Sequence, residues 1–207
     1  MRIRWVTASP DRAAIRLAHA LGLIMDPVGG RREVGLGSVV LELVALPSGV
    51  AGDDRLSFAG PVARPPDAHS PGVACVGVGV ATVDTDRIAS RMGWRIAQAG
   101  HDLVLGAHVA AADASPGEAR LVVLEPSREG RVAASLARLG EGPVALYLRS
   151  PAGLPAARDW VAGRGGKVTP IADGPFGRSF AIGGGPPWGP HLVIVESDAL
   201  SWSGSQG

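Results

Sequence analysis

Several residue types that announce a chemistry are nearly missing from this chain. Cys75 is the only cysteine in 207 residues, which excludes an intrachain disulfide and a cysteine-rich metal site. Lys167 is the only lysine, and the arginines are scattered, so the chain lacks the basic block that nucleic-acid binding requires. Twenty basic and nineteen acidic residues leave a net charge of +1. No apolar run reaches the length of a membrane span, and MRIRWVTASPDRAA lacks the apolar centre of a signal peptide. These absences predict a soluble, cytoplasmic protein that acts on a small molecule, with no nucleic-acid or membrane partner.

Apolar side chains are abundant, at 46% with a mean hydropathy of +0.19, enough to build a substantial core. Their order is informative. Residues 2–8 alternate as a strand. Ser9-Pro10-Asp11 opens a helix whose face is Ala14, Leu17, Ala18 and Leu21, and Gly22 stops it. Residues 34–46 read as one or two further strands. Together, residues 1–46 form a short βαβ-type unit. Residues 47–72 are rich in Gly, Pro, Asp and Ser without a sustained period, and read as a linker or as a lid loop. A second unit spans 73–126, with a helix at DTDRIASRMGW and a single strand at 101–114. Residues 127–142 form a connecting helix that Ser127 caps and Gly140 ends. A third unit spans 143–200, and 201–207 is a polar tail. The expected class is α+β, with repeated βαβββ modules curled into an open cup or half-barrel and helices on its outer face.

The junction from LVVLEP through LARLGEGP into VALYLR carries a family resemblance. It resembles the module junction of methylmalonyl-CoA epimerases, within the vicinal-oxygen-chelate (glyoxalase, bleomycin-resistance and dioxygenase) superfamily. The resemblance implies paired modules around a divalent metal, with ligands on the first and last strand of each module. Placed on this sequence, the family's ligand positions fall at Gly77, near Val122, between Pro143 and Ala145, and near Val193. None of these side chains can ligate a metal, so the expectation is a metal-free member without a cofactor. In the first unit the same positions are Arg4 and Glu42, a pair suited to a salt bridge or an anion contact.

Strand alternation assigns candidates for the cup. Gly77 and Gly79 would leave one wall bare for a ligand or for a neighbouring side chain. Leu124, Leu146 and Val193 would line the remainder, with Phe180 and Trp188 offering flat contact area. His191 is the preferred acid–base group, with Arg120 and Tyr147 as possible helpers. His101 and His108, seven apart on one predicted strand, are expected on opposite faces. The predicted function is binding, or sequestration, of a small and mostly apolar organic molecule. The alternatives are a metal-independent isomerase, cyclase or lyase, and a metal-dependent glyoxalase, epimerase or dioxygenase. An odd number of modules also predicts a homodimer or an intrachain pairing of the first unit with the second.

Overall fold

A strand, a helix and three more strands recur three times along the chain, and each recurrence folds in the same way. The computed structural model describes residues 1–28, 31–47, 54–60, 72–115, 117–127, 129–183 and 190–200. The first unit comprises β1 (Arg2–Thr7), α1 (Pro10–Leu21), β2 (Asp26–Val28), β3 (Arg31–Leu36) and β4 (Val39–Ala45), and β5 (Arg55–Phe58) follows it. The second comprises β6 (Ala74–Ala81), α2 (Thr85–Met92), β7 (Ile96–Asp102), β8 (Ala107–Ala112) and β9 (Arg120–Pro126). After α3 (Arg131–Leu139), the third comprises β10 (Gly142–Arg149), α4 (Leu154–Gly163), β11 (Ala172–Gly174), β12 (Gly177–Ile182) and β13 (His191–Val195). In every unit the last strand returns parallel to the first: β4 beside β1, β9 beside β6, and β13 beside β10.

Local chemistry explains most helix boundaries. The Ser9 hydroxyl accepts the Arg12 N–H at the start of α1, and the Asp84 carboxylate accepts the Arg87 N–H at the start of α2. Gly22 and Gly93 end these helices with φ of 67° and 64°, where a side chain would be strained. The connecting helix departs from expectation. It starts at Arg131, behind Gly130, with no side-chain cap. Ser127 lies three residues before that N-cap, where its N–H donates to the Gly106 carbonyl of the β7–β8 turn.

β6 and β10 pair antiparallel and fuse the second and third units into one eight-stranded sheet, ordered β11-β12-β13-β10-β6-β9-β8-β7. The sheet curls until its two ends meet, where the Leu103 N–H donates to the Asp173 carbonyl at 3.0 Å. The result is a nearly closed half-barrel. The first unit forms a separate five-stranded sheet, ordered β2-β3-β4-β1-β5. No helix among the described residues is long and apolar enough to cross a membrane.

Two cores follow from this arrangement. One joins the first and third units, packing Ile3, Trp5, Leu17, Leu41 and Leu43 against Leu146, Leu148, Leu154, Phe180 and Ile194. Each of these larger side chains contributes about 1.5–3 kcal/mol on full burial. The odd module is therefore covered back to back within the chain. Its first strand is covered too: β5 pairs antiparallel with β1, on the edge that β6 uses to meet β10. Residues 55–58, inside the stretch read as linker or lid, thus form a strand that is too short to show a period. The first unit thus pairs within the chain with the third unit, and not with the second as expected, because its apolar face meets the outer faces of β10, β12 and β13 and α4.

The second core fills the half-barrel with Leu105, Val109, Leu124, Val132, Tyr147, Phe176 and Val193. It corrects two assignments. Ala145 and Tyr147, not Leu146, stand across from Gly79 and Gly77 on the inner face, while Leu146 and Phe180 belong to the outer core. Both faces of these strands are buried, so alternating polarity could not set their phase.

The bare wall is occupied. A Cβ on Gly77 would lie 2.7 Å from the Phe176 ring, and one on Gly79 would lie 2.7 Å from Leu124 and 2.9 Å from Ala145. Phe176 is fully buried and has no room to retreat. Gly77→Ala is expected to cost about 1–3 kcal/mol through overpacking, measured as a fall in the urea midpoint. Gly163→Ala, in open space, serves as the control.

Candidate functional site

The three acid–base candidates end up in different surroundings. His191 begins β13 and is 6% exposed, facing α3, where its Nε2 lies 2.9 Å from the Ser135 hydroxyl. The imidazole also hydrogen-bonds the Arg131 backbone. Burial, with help from the Arg131 charge, pushes the His191 pKa down to about 4. The ring is therefore neutral at pH 7, and with one nitrogen donating to the Arg131 backbone, the other accepts the Ser135 O–H. Arg131 is half-buried, and burial lowers its own pKa. Its Nη2 donates to the Gly183 carbonyl at 3.5 Å, the limit of such a bond.

Tyr147 lies deeper in the half-barrel. Its hydroxyl donates to Asp102 Oδ2 at 2.8 Å, and both residues are buried. The Leu105 N–H bonds Asp102 Oδ1, so this carboxyl anchors the β7–β8 turn as well as the tyrosine. Burial raises the Asp102 pKa against those hydrogen bonds, and burial raises the Tyr147 pKa further still, helped by the neighbouring carboxylate. The pair is a structural strut inside an apolar core. Arg120 starts β9 opposite Gly77 and is half-buried. The fold does not bring the three together: His191 pairs with Ser135, and Tyr147 pairs with Asp102.

The metal positions implied by resemblance can be tested directly. Gly77, the window from Pro143 to Ala145 and the places near Val122 and Val193 offer no side-chain donor atom, and Asp102 is committed to Tyr147 and Leu105. Among the described residues no three His, Cys, Asp or Glu side chains converge. The residues of the half-barrel do not fit a metal.

In the first unit, Arg4 and Glu42 do meet, with Arg4 Nε donating to Glu42 Oε2 at 2.9 Å. Arg31 bonds the other carboxylate oxygen, and Arg2 lies 3.8 Å from it while reaching Glu33 at 3.1 Å. Glu42 is fully covered. Burial would raise its pKa, but the bonds from Arg4 and Arg31 outweigh that and hold it below the ordinary value. Its carboxylate is saturated by arginine, as a salt bridge requires.

Three features escaped the sequence reading. Asp102 and Gly106 close a turn through Gly106 N–H to Asp102 O at 2.8 Å, dividing the predicted strand 101–114 into a hairpin. That turn corrects the histidine placement. His101 and His108 are cross-strand partners with ring centroids 4.6 Å apart, on one face. The Asp-to-Gly spacing was the available signal. Phe176 and Ser135 had no signal in a single sequence. Trp188 lies outside the described residues.

A separate groove of about 260 Å3 opens between α1 and α4. Leu21, Val73, Pro151, Ala157, Trp160, Val161 and Ile194 line it, together with small alanines and Ser150. The Arg164 guanidinium stacks 3.3 Å above the Trp160 ring and steadies it.

With the topology in view, comparison with solved structures is direct. The chain is similar in fold to methylmalonyl-CoA epimerases. The enzyme from Mycobacterium tuberculosis is 22% identical over 58% of this chain and 85% of its own, with a TM-score of 0.49. That of Streptomyces coelicolor, in complex with 2-nitronate-propionyl-CoA, is 23% identical over 59% of this chain and 97% of its own, at 0.47. A hypothetical protein from Bacillus halodurans is 15% identical over 62% and 97%, at 0.48. These epimerases belong to the vicinal-oxygen-chelate superfamily. No family model matches the chain, and no curated protein matches it.

The buried histidine has a pH signature. Its folded pKa, about 4, lies below the ordinary 6.5, so the unfolded chain takes up the proton first. Stability should be complete above pH 6.5, fall by roughly 3 kcal/mol as the pH drops to about 4, and level off below. Denaturation series across this window should show the slope, and His191→Gln should flatten it.

Proposed function

We propose that this chain binds a small, mostly apolar organic molecule without using a metal to hold it, and that the groove between α1 and α4 is where it binds. The groove itself carries the reading. It has the size for a compact ligand and a wall of aliphatic carbon. Trp160 supplies one flat face and Ser150 a hydroxyl to orient the ligand. The half-barrel is a poorer host, because Phe176, Tyr147 and Leu124 fill the space before Gly77 and Gly79. Binding without chemistry also suits a chain whose acid–base candidates are dispersed and whose expected metal positions lack donors.

The groove sits where the first and third units share their core, so an occupant would bridge α1 and α4. Binding should therefore raise the melting temperature as well as hold the ligand. The probe 1-anilinonaphthalene-8-sulfonate should show saturable fluorescence with energy transfer from Trp160. Ala156→Trp, at an exposed groove position, should weaken it at least tenfold without lowering the melting temperature. Equal binding by the variant would locate the apolar site elsewhere.

A second reading, a metal-independent acid–base enzyme, has one observation in its favour: the 2.9 Å contact between neutral His191 and the Ser135 hydroxyl. Loss of any detected turnover in both His191→Gln and Ser135→Ala would support it.

A further inference from the structure

The hairpin β7–β8 places two histidines in an arrangement with a chemistry of its own. His101 on β7, the edge strand of the eight-stranded sheet, stands directly across from His108 on β8. Both side chains are exposed, and both lie on the face away from the half-barrel interior, since the flanking Asp102, Ala107 and Val109 point inward. Their ring centroids are 4.6 Å apart, with the planes tilted by 55°.

That separation matches shared coordination. An imidazole nitrogen binds zinc at about 2.0–2.1 Å, which sets the ring centroid roughly 3.2 Å from the ion. Two rings on one ion then have centroids about 4.5 Å apart at a right angle and about 5.2 Å apart at the tetrahedral angle. The observed spacing falls between them. The scaffold is held in advance by the ladder from β7 through β8 to β9 and by the Asp102 carboxylate, which accepts the Leu105 N–H within the turn. Chelation therefore needs side-chain rotation only.

We propose that His101 and His108 form a surface site for one borderline divalent transition-metal ion, of the zinc, nickel or copper(II) class. Imidazole nitrogen prefers these ions over magnesium or calcium. The nearest carboxylate in the row, Glu125 across from His108, is engaged by the Thr85 N–H and hydroxyl, so water completes the coordination sphere. The site is independent of the groove and lies outside the half-barrel. Its ion would clip the edge strand to its neighbour.

Titration of untagged full-length protein with zinc chloride, followed by calorimetry, tests the assignment. One equivalent should bind, and His101→Gln and His108→Gln should each weaken it at least tenfold. The double variant should bind no more tightly than either single one, since losing one ring already removes chelation. His19→Gln should bind as the parent does, and magnesium should not compete. Binding undiminished in either single variant, or no binding of zinc by the parent protein, would overturn the proposal. These substitutions lie on an exposed face, so loss of folding does not confuse the result.

Discussion

The half-barrel depends on one contact, the packing of Phe176 and Tyr147 against a strand without side chains at Gly77 and Gly79. The rings lie 5.2 Å apart, centroid to centroid, and occupy the volume that side chains on β6 would otherwise take. Tyr147 then reaches Asp102, whose carboxylate also holds the turn next to which the Leu103 N–H meets Asp173 and the curled sheet closes. Small residues on β6, one ring from β10, one from the β11–β12 turn and one buried hydrogen bond therefore act together. A cup that could have admitted a ligand has become a core.

With the interior so occupied, the opportunity for binding moves outward. The first and third units bury their aliphatic faces against each other, and α1 and α4 diverge enough at the margin to leave an apolar groove. The same contact covers the odd module, while β5 takes the free edge of β1. A module that stands alone in sequence is thus satisfied on its face and on its edge by its own chain.

Much of the architecture was readable from local chemistry. Ser9, Asp84, Gly22 and Gly93 mark helix ends through capping and left-handed conformations, which need only near neighbours. The junction around LVVLEP and VALYLR indicated the recurring units, and the lack of donors at Gly77, Val122 and Val193 was plain from residue type alone. The candidate site was less legible. Leu146 and Phe180 were assigned to the wrong face because strands buried on both sides carry no polar alternation. His101 and His108 were separated because a four-residue turn inside an apolar stretch reads as continuous strand.

The sequence by itself determined the α+β class and the recurrence of its units, since both follow from residue identity and short-range spacing. Tertiary structure alone decided how the glycine wall is used, because Phe176 lies far along the chain from Gly77. It also decided that His191 meets Ser135, that the first unit packs against the third, and that two histidines share a face. Each of these is a contact between distant segments. The energy of such a contact comes from burial and pairing that exist only once the sheets have closed.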